Sequence, residues 1–203
     1  MGGPGAWAGM LAGVVDHVAS TVAAADGAGQ GGGAVDWSVT AIDLDWSCAR
    51  VVEHLAGDFV GYAGQLTAPQ ARGQVPYGVR LAGHPDTQGM ADVLRSSGGL
   101  LVAAVATTPS GTTSWHPCGP AGPGDFAAMG ILEALVHTYD LAITLAWSWQ
   151  PDPAPCSAVL DRLFGDVTRT DDPWTDLLWA TGRVPRGDTP RRDRDWRWLN
   201  TGR

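Results

Sequence analysis

The sequence predicts an all-α protein: an antiparallel bundle of four helices, followed by short C-terminal helices and a tail rich in arginine and tryptophan. Three observations favour this fold. Four long segments suit helices, the connections between them are rich in proline and glycine, and strict alternation of apolar and polar residues is rare. Hydrophobic residues make up 44% of the 203 residues and charged residues 17%, which is enough apolar material for one ordinary core.

The first two predicted helices cover residues 6–26 and about 47–66. The first segment is rich in Ala and Val, contains no proline, and is ended by the glycine run at 27–33. Ser47 is a suitable N-cap for the second helix, because its hydroxyl can accept a hydrogen bond from a first-turn N–H. The second helix carries one apolar stripe at helical spacing, formed by Cys48, Val51, Val52, Leu55, Phe59 and Tyr62.

The third and fourth predicted helices cover residues 85–106 and 125–147. Pro85 suits the first turn of a helix, where its missing N–H is not needed. The small residues at 96–99 are expected to interrupt or kink the third helix. Because residues 107–124 are rich in Pro and Gly, they are predicted to form a loop.

The C-terminal quarter of the chain begins with a group of prolines that is expected to end the fourth helix. Two shorter helices are predicted at 156–167 and 173–181. No internal repeat is visible. We therefore expect residues 1–150 to form the bundle and residues 151–203 to form a helical extension that packs on it.

The chain is acidic, with a formal net charge of -8 and an isoelectric point near 4.8. Nucleic acid is not expected as a partner, since phosphate binding needs a concentrated positive field. The three cysteines lie far apart and form no C-x-x-C pair, which predicts no disulfide framework and favours a reducing cytoplasm. No targeting segment is predicted. The longest nearly apolar run, residues 100–106, is too short to span a bilayer, so no membrane contact is expected either.

The fourth predicted helix carries a polar face. Glu133, His137, Asp140 and Thr144 follow one another at steps of 4, 3 and 4 residues, which places them over one another on a helix. Two interpretations stay open at this point. The face is the solvated side of an amphipathic helix, or the helix is buried nearly all round and the face is a polar seam inside the bundle.

Glu133 and His137 are spaced so that both can reach one metal ion. A further imidazole from a neighbouring helix would complete three protein ligands, the number that catalytic zinc sites use while keeping one position open. His54 is the best candidate, although spacing alone fits a partly buried histidine equally well. His116, in the Pro/Gly-rich loop, is a candidate for the mouth of the site or a surface residue. Cys48 is interpreted as core.

Four segments carry a family resemblance. Residues 46–55 and 133–142, with the tail segments 178–183 and 196–198, resemble the mycothiol-dependent maleylpyruvate isomerase family of the DinB-like superfamily. The resemblance covers roughly residues 36–66, 125–147 and 171–198. We expect a short form that lacks the further C-terminal domain of the isomerase.

The resemblance implies a DinB-like four-helix bundle whose divalent metal, usually zinc, is held by His54, Glu133 and His137. Asp140 matches an aspartate of the motif and is assigned a supporting role, orienting a neighbour or pairing with an arginine. The open metal position is implied to receive the sulfur of mycothiol, because a coordinated thiol is deprotonated at neutral pH. Arg183 and Arg197 of the tail either bind a carboxylate near the metal or form surface ion pairs.

The leading hypothesis is a cytoplasmic enzyme, monomeric or homodimeric, that uses a metal-bound thiolate to attack a small electrophile in an S-transferase or cis–trans isomerase type of reaction. Two alternatives stay open. One keeps the metal but uses no thiol, with the metal acting as a Lewis acid in secondary metabolism. The other is a non-catalytic ligand-binding protein on the same scaffold, since a fold does not establish a reaction.

Overall fold

The computed structural model describes residues 3–28 and 33–193. This part of the chain contains helices and no β-strand, with isolated bridges such as the one between Ser114 and Ala121. The helices are α1 (Pro4–Ala23), α2 (Cys48–Thr67), α3 (Thr87–Thr107), α4 (Pro123–Thr144), α5 (Pro153–Leu163) and α6 (Pro173–Ala180).

The first four helices form a bundle in which α1 and α2 lie diagonally. Each of these two helices packs against both α3 and α4. Helix α5 packs on α4, α6 packs on α5, and one hydrophobic core contains side chains from all six helices. The all-α four-helix prediction is therefore confirmed. The division into 1–150 and 151–203 stays a prediction.

Helix α2 begins as predicted, with the Ser47 hydroxyl accepting a hydrogen bond from the Arg50 N–H. Helix α3 begins later than predicted. Asp86 caps it by accepting a hydrogen bond from the Gly89 N–H, so that Pro85 precedes the helix instead of lying in its first turn.

Helix α3 is continuous through residues 96–99, and the predicted interruption is wrong. The Ser97 hydroxyl donates to the Val93 carbonyl, which satisfies it within the helix. Gly98 lies where α1 approaches, because a Cβ at this position would meet the Val15 Cγ1 at 2.6 Å. The small residues therefore serve close helix packing.

Helix α4 ends at Thr144, three residues before the predicted end. Ala146 has a φ of 57°, which turns the chain out of the helix, and the Trp147 N–H then donates to the Ala142 carbonyl. The prolines that were expected only to end α4 also begin the next element, since Pro153 occupies the first turn of α5 behind the Asp152 cap.

Helices α1, α3 and α4 are each long and apolar enough to cross a membrane by length and composition alone. In α4, 83% of the most apolar window is buried inside the protein. The uninterrupted apolar run at 100–106 is much shorter than these helices, so the expectation that no segment is long and apolar enough to span a bilayer is wrong. The absence of a membrane partner stays a prediction.

Candidate metal centre

The three predicted ligands lie together where α2 faces α4. His54 of α2 and Glu133 and His137 of α4 each offer one ligand atom, and these atoms all lie within 4.8 Å of one another. The two imidazole rings stand nearly perpendicular, at 86°, with their centroids 5.0 Å apart. Among the described residues this is the one such cluster of His, Cys, Asp and Glu side chains.

The polar face of α4 is buried. The side chain of His137 is 8% exposed, that of Asp140 is 6% exposed and that of Glu133 is 14% exposed. The interpretation of this face as the solvated side of an amphipathic helix is therefore wrong, and the polar seam inside the bundle is observed instead. His54 keeps 30% of its side chain exposed, so solvent reaches the cluster from the α2 side.

His137 is held from both ring nitrogens by carboxylates of its own helix. Its Nδ1 lies 3.0 Å from Asp140 Oδ2, and its Nε2 lies 3.2 Å from Glu133 Oε2. Asp140 in turn accepts two hydrogen bonds from Arg183, from Nε at 2.9 Å and from a terminal nitrogen at 2.7 Å. This bidentate pair fixes the carboxylate that faces His137.

Burial opposes the charged form of His137, but hydrogen bonds to Asp140 and Glu133 outweigh it and raise its pKa to about 9. Burial also acts to raise the pKa of Glu133, yet the hydrogen bond and the charge of His137 lower it below its usual value. The pKa of Asp140 is lowered in the same way by His137 and Arg183 against the effect of burial. Without a metal, Glu133, His137 and Asp140 thus form a series of ion pairs along α4.

The pKa of His54 is shifted in the opposite direction to that of His137. Burial, together with the charge of the nearby His137, lowers its pKa to about 4. The Trp46 ring packs against the imidazole with a centroid separation of 4.8 Å. A neutral imidazole has a lone pair, which is what metal binding requires.

Asp58 is a site residue that the sequence analysis missed. Its Oδ2 lies 3.2 Å from His54 Nε2, one helical turn further along α2. Burial, together with the charge of Glu133, raises the pKa of the Asp58 carboxyl to about 8. Asp58 follows His54 by four residues, as His137 follows Glu133. The same spacing could therefore have predicted that Asp58 lies beside His54.

His116 is not one of the three clustered residues, but it lies near them. Its ring packs against Tyr62 and Phe126, each with a centroid separation of 6.0 Å. Burial lowers the pKa of His116, and the charge of Glu133 partly offsets this. The residue lines a small pocket beside α2 rather than an open loop surface.

Of the two tail arginines named as candidates, Arg183 is described by the structure. Arg183 binds the carboxylate of Asp140 and the Thr181 carbonyl, so its guanidinium is engaged within the protein. Arg197 lies outside the described residues. Thr144, the last residue of the predicted polar face, donates to the Asp140 carbonyl and accepts from the Ile42 N–H.

Other polar candidates lie away from the cluster. His17 accepts a hydrogen bond from the Trp149 indole, and His84 is exposed in the connection before α3. Burial raises the pKa of Cys48 to about 11, which makes it an inert core thiol as predicted.

Comparison with known protein families gives one match. The family of the mycothiol maleylpyruvate isomerase N-terminal domain matches residues 36–142, a stretch that contains His54, Glu133, His137 and Asp140. Searches of curated proteins and of solved structures found no match. Because the matched stretch is more than half of the 203 residues, the chain belongs to the mycothiol maleylpyruvate isomerase N-terminal domain family, whose members are metal-binding DinB-like helical proteins.

Proposed function

We propose that this protein is a divalent-metal enzyme that activates a low-molecular-weight thiol such as mycothiol for attack on a small electrophile. The observation that carries the proposal is the convergence of His54, Glu133 and His137 from two facing helices. The reaction is of the S-transferase or cis–trans isomerase type, and zinc is the proposed metal.

The donor set fits a catalytic zinc ion. Zinc takes imidazole nitrogen and carboxylate oxygen, and three protein ligands leave a position for a further ligand. His54 and His137 supply the nitrogens and Glu133 supplies the oxygen. A bound divalent cation would supply positive charge that lowers the pKa of a thiol and stabilises its thiolate form at neutral pH.

Neighbouring residues hold the His137 ring of α4 in a fixed orientation. Asp140 lies against Nδ1 of His137, so Nε2 is the ring nitrogen that faces Glu133 and the cluster and that would offer its lone pair once its proton is lost. The Arg183 guanidinium holds Asp140 in that orientation. Since His137 and Glu133 form an ion pair without metal, binding of a metal would release the proton that the pair holds.

The test uses purified protein loaded with zinc and supplied with mycothiol and a panel of small electrophiles. Consumption of an electrophile that depends on protein, zinc and thiol together supports the proposal. The His137→Ala variant should lose this activity by more than about 100-fold, because removing a ligand costs more than removing the group that orients it. His84→Ala, which removes an exposed imidazole, is the matched control and should keep it.

Two results would contradict the proposal. Activity that persists without thiol would indicate the Lewis-acid alternative. Binding of ligands without turnover, unchanged in His137→Ala, would indicate a non-catalytic binding protein on this scaffold.

A further inference from the structure

Tyr62 of α2 lies beside the candidate metal centre. It follows Asp58 by four residues and His54 by eight, so the three side chains lie on one side of the helix, about two turns from end to end. His54 belongs to the metal centre, and the Asp58 carboxylate lies 3.2 Å from its Nε2. Tyr62 is therefore the next polar position along the side of α2 that carries the site.

Contacts hold the Tyr62 ring against α4. The ring packs on the buried Phe126 of α4 with a centroid separation of 5.6 Å, and on His116 with a separation of 6.0 Å. The charge of Glu133, a member of the metal centre, acts on the Tyr62 hydroxyl. The hydroxyl is thus held within electrostatic reach of the centre.

Tyr62 also lines a small pocket. The pocket has a volume of about 180 Å³ and lies between α2 and the connection that precedes α4. Asp58, the neighbour of His54, lines it as well. A cavity of about 150 Å³ holds one benzene ring, so there is room for a small electrophile. A molecule in this pocket would contact Tyr62 and lie next to the metal centre.

The hydroxyl of Tyr62 is available to such a molecule. In the part of the chain that the structure describes, it takes part in no hydrogen bond. The hydroxyl of Tyr77, by contrast, donates to the Val60 carbonyl. A tyrosine hydroxyl in a buried setting usually has a hydrogen-bond partner, so that of Tyr62 suits a partner that enters the pocket.

The Tyr62 hydroxyl is a donor and not a base. Burial, together with the charges of Glu133 and Asp58, raises the pKa of Tyr62 well above its usual value of 10. The phenol therefore keeps its proton at neutral pH and can donate it in a hydrogen bond to an oxygen atom. Negative charge on the accepting oxygen strengthens this hydrogen bond.

We propose that Tyr62 is a catalytic residue, which donates a hydrogen bond to the oxygen of a conjugated carbonyl compound as that oxygen gains negative charge. This inference rests on the proposed function and adds a residue to it. A zinc ion with three protein ligands has one further position, which the proposed function assigns to the thiol. The oxygen of the electrophile then needs a donor of its own, and Tyr62 supplies it.

The step is a conjugate addition. The sulfur of the thiolate bonds to the β carbon, the electrons of the carbon–carbon double bond move between the α carbon and the carbonyl carbon, and the carbonyl electrons move to the oxygen. The Tyr62 O–H donates to this oxygen and stays intact. The α carbon then takes up a proton from water, in place of the proton that the thiol released. No oxidant or reductant is required.

The experiment measures steady-state kinetics of the zinc-loaded full chain with mycothiol and two electrophiles. The first, 2-cyclohexen-1-one, is a conjugated ketone whose oxygen gains charge as the sulfur adds. The second, benzyl chloride, reacts by substitution: the sulfur bonds to the benzylic carbon and chloride leaves, so no oxygen gains charge. Tyr62→Phe removes only the hydroxyl. Tyr77→Phe, the matched control, removes a hydroxyl that already bonds to the protein.

We expect Tyr62→Phe to lower kcat for cyclohexenone about 100-fold with little change in KM, because the hydrogen bond strengthens only as the charge develops. Its kcat for benzyl chloride should equal that of the parent chain. Tyr77→Phe should leave both reactions unchanged. Urea unfolding checks the fold, and Tyr62→Phe should unfold like the parent chain, since the lost hydroxyl leaves no partner unsatisfied.

A second readout needs no turnover. Cyclohexenone labelled with ¹³C at its carbonyl is titrated into metal-free, thiol-free protein. A hydrogen bond to the oxygen draws electron density from the carbonyl carbon. The signal of the bound ketone should therefore lie further downfield in the parent chain than in Tyr62→Phe.

The proposal is overturned if Tyr62→Phe slows both electrophiles equally, since the residue would then act on the thiol or on the fold, or if it slows neither. An identical carbonyl signal in the two proteins also overturns it. If the parent chain consumes benzyl chloride alone, the proposed function stands and the role of Tyr62 is wrong. If the parent chain consumes neither electrophile with thiol, the proposed function fails, and the catalytic role of Tyr62 fails with it.

Discussion

Helix α2 and helix α4 surround their candidate ligands with different environments. On α4, His137 is buried and held from both nitrogens by carboxylates, one of which is fixed by Arg183. On α2, His54 is 30% exposed, and burial lowers its pKa to about 4. The α4 half is thus a preorganised, charged network, while the α2 half is a neutral imidazole at the solvent edge. Under the proposed function, the first half would set the affinity for a cation, and the second would leave room for a ligand to enter.

The largest difference is expected in the stability of the metal-free protein. His137→Ala leaves the buried Glu133 carboxylate without its partner and should lower the free energy of unfolding by about 3 kcal/mol. His54→Ala removes a partly exposed, neutral ring and should cost less than about 1 kcal/mol. Urea unfolding of both variants after chelator treatment measures the two values. Equal losses would show that the two halves do not differ as described.

The next effect is on zinc affinity. Asp140→Asn weakens the acceptor that orients His137 and should reduce affinity by roughly 10–100-fold. Asp58→Asn alters the more exposed neighbour of His54 and should reduce affinity by a smaller factor. Competition titration with a zinc-binding dye gives both constants. A larger loss for Asp58→Asn would show that the residues of α2 contribute more to zinc affinity than those of α4.

The last difference is a pH dependence of opposite sign in the two halves, again in metal-free protein. The folded pKa of His137 is about 9, above the ordinary 6.5, so its stabilisation is complete below pH 6.5 and is lost as pH rises toward 9. The folded pKa of His54 is about 4, below 6.5, so the unfolded chain takes up the proton first and stability falls as pH drops from 6.5 toward 4.

Variants isolate these two contributions. His137→Gln should flatten the decline of unfolding free energy between pH 6.5 and 9 relative to the parent chain. His54→Gln should flatten the decline between pH 6.5 and 4. Chemical denaturation across the pH range provides the measurement. Unchanged slopes in either variant would mean that the histidine does not carry the assigned shift.

The helices were predictable from sequence because their signals are local. Ser47 as a cap and the proline- and glycine-rich connections act within a few residues, and they located the four long helices correctly. The errors at 96–99 and at the end of α4 have two different causes, a tertiary contact and an uncommon backbone conformation. Gly98 accommodates Val15 of another helix, and Ala146 adopts a left-handed conformation that its residue type does not favour.

The candidate site was only partly predictable. Spacing placed Glu133 and His137 on one face, but only packing could show that this face is buried and that α2 brings His54 to it. Asp58 follows His54 by one helical turn and was within reach of the same reasoning. The contact between Arg183 and Asp140 spans 43 residues, and the position of His116 depends on a loop, so neither had a local signal.

The most direct test of the metal centre is anomalous diffraction at the zinc absorption edge, from crystals of protein purified with zinc and without a metal-binding tag. The account predicts one peak within about 2.0–2.2 Å of one atom each of His54, Glu133 and His137. Zinc bound elsewhere, or no peak beside an intact Glu133–His137 ion pair, would contradict it.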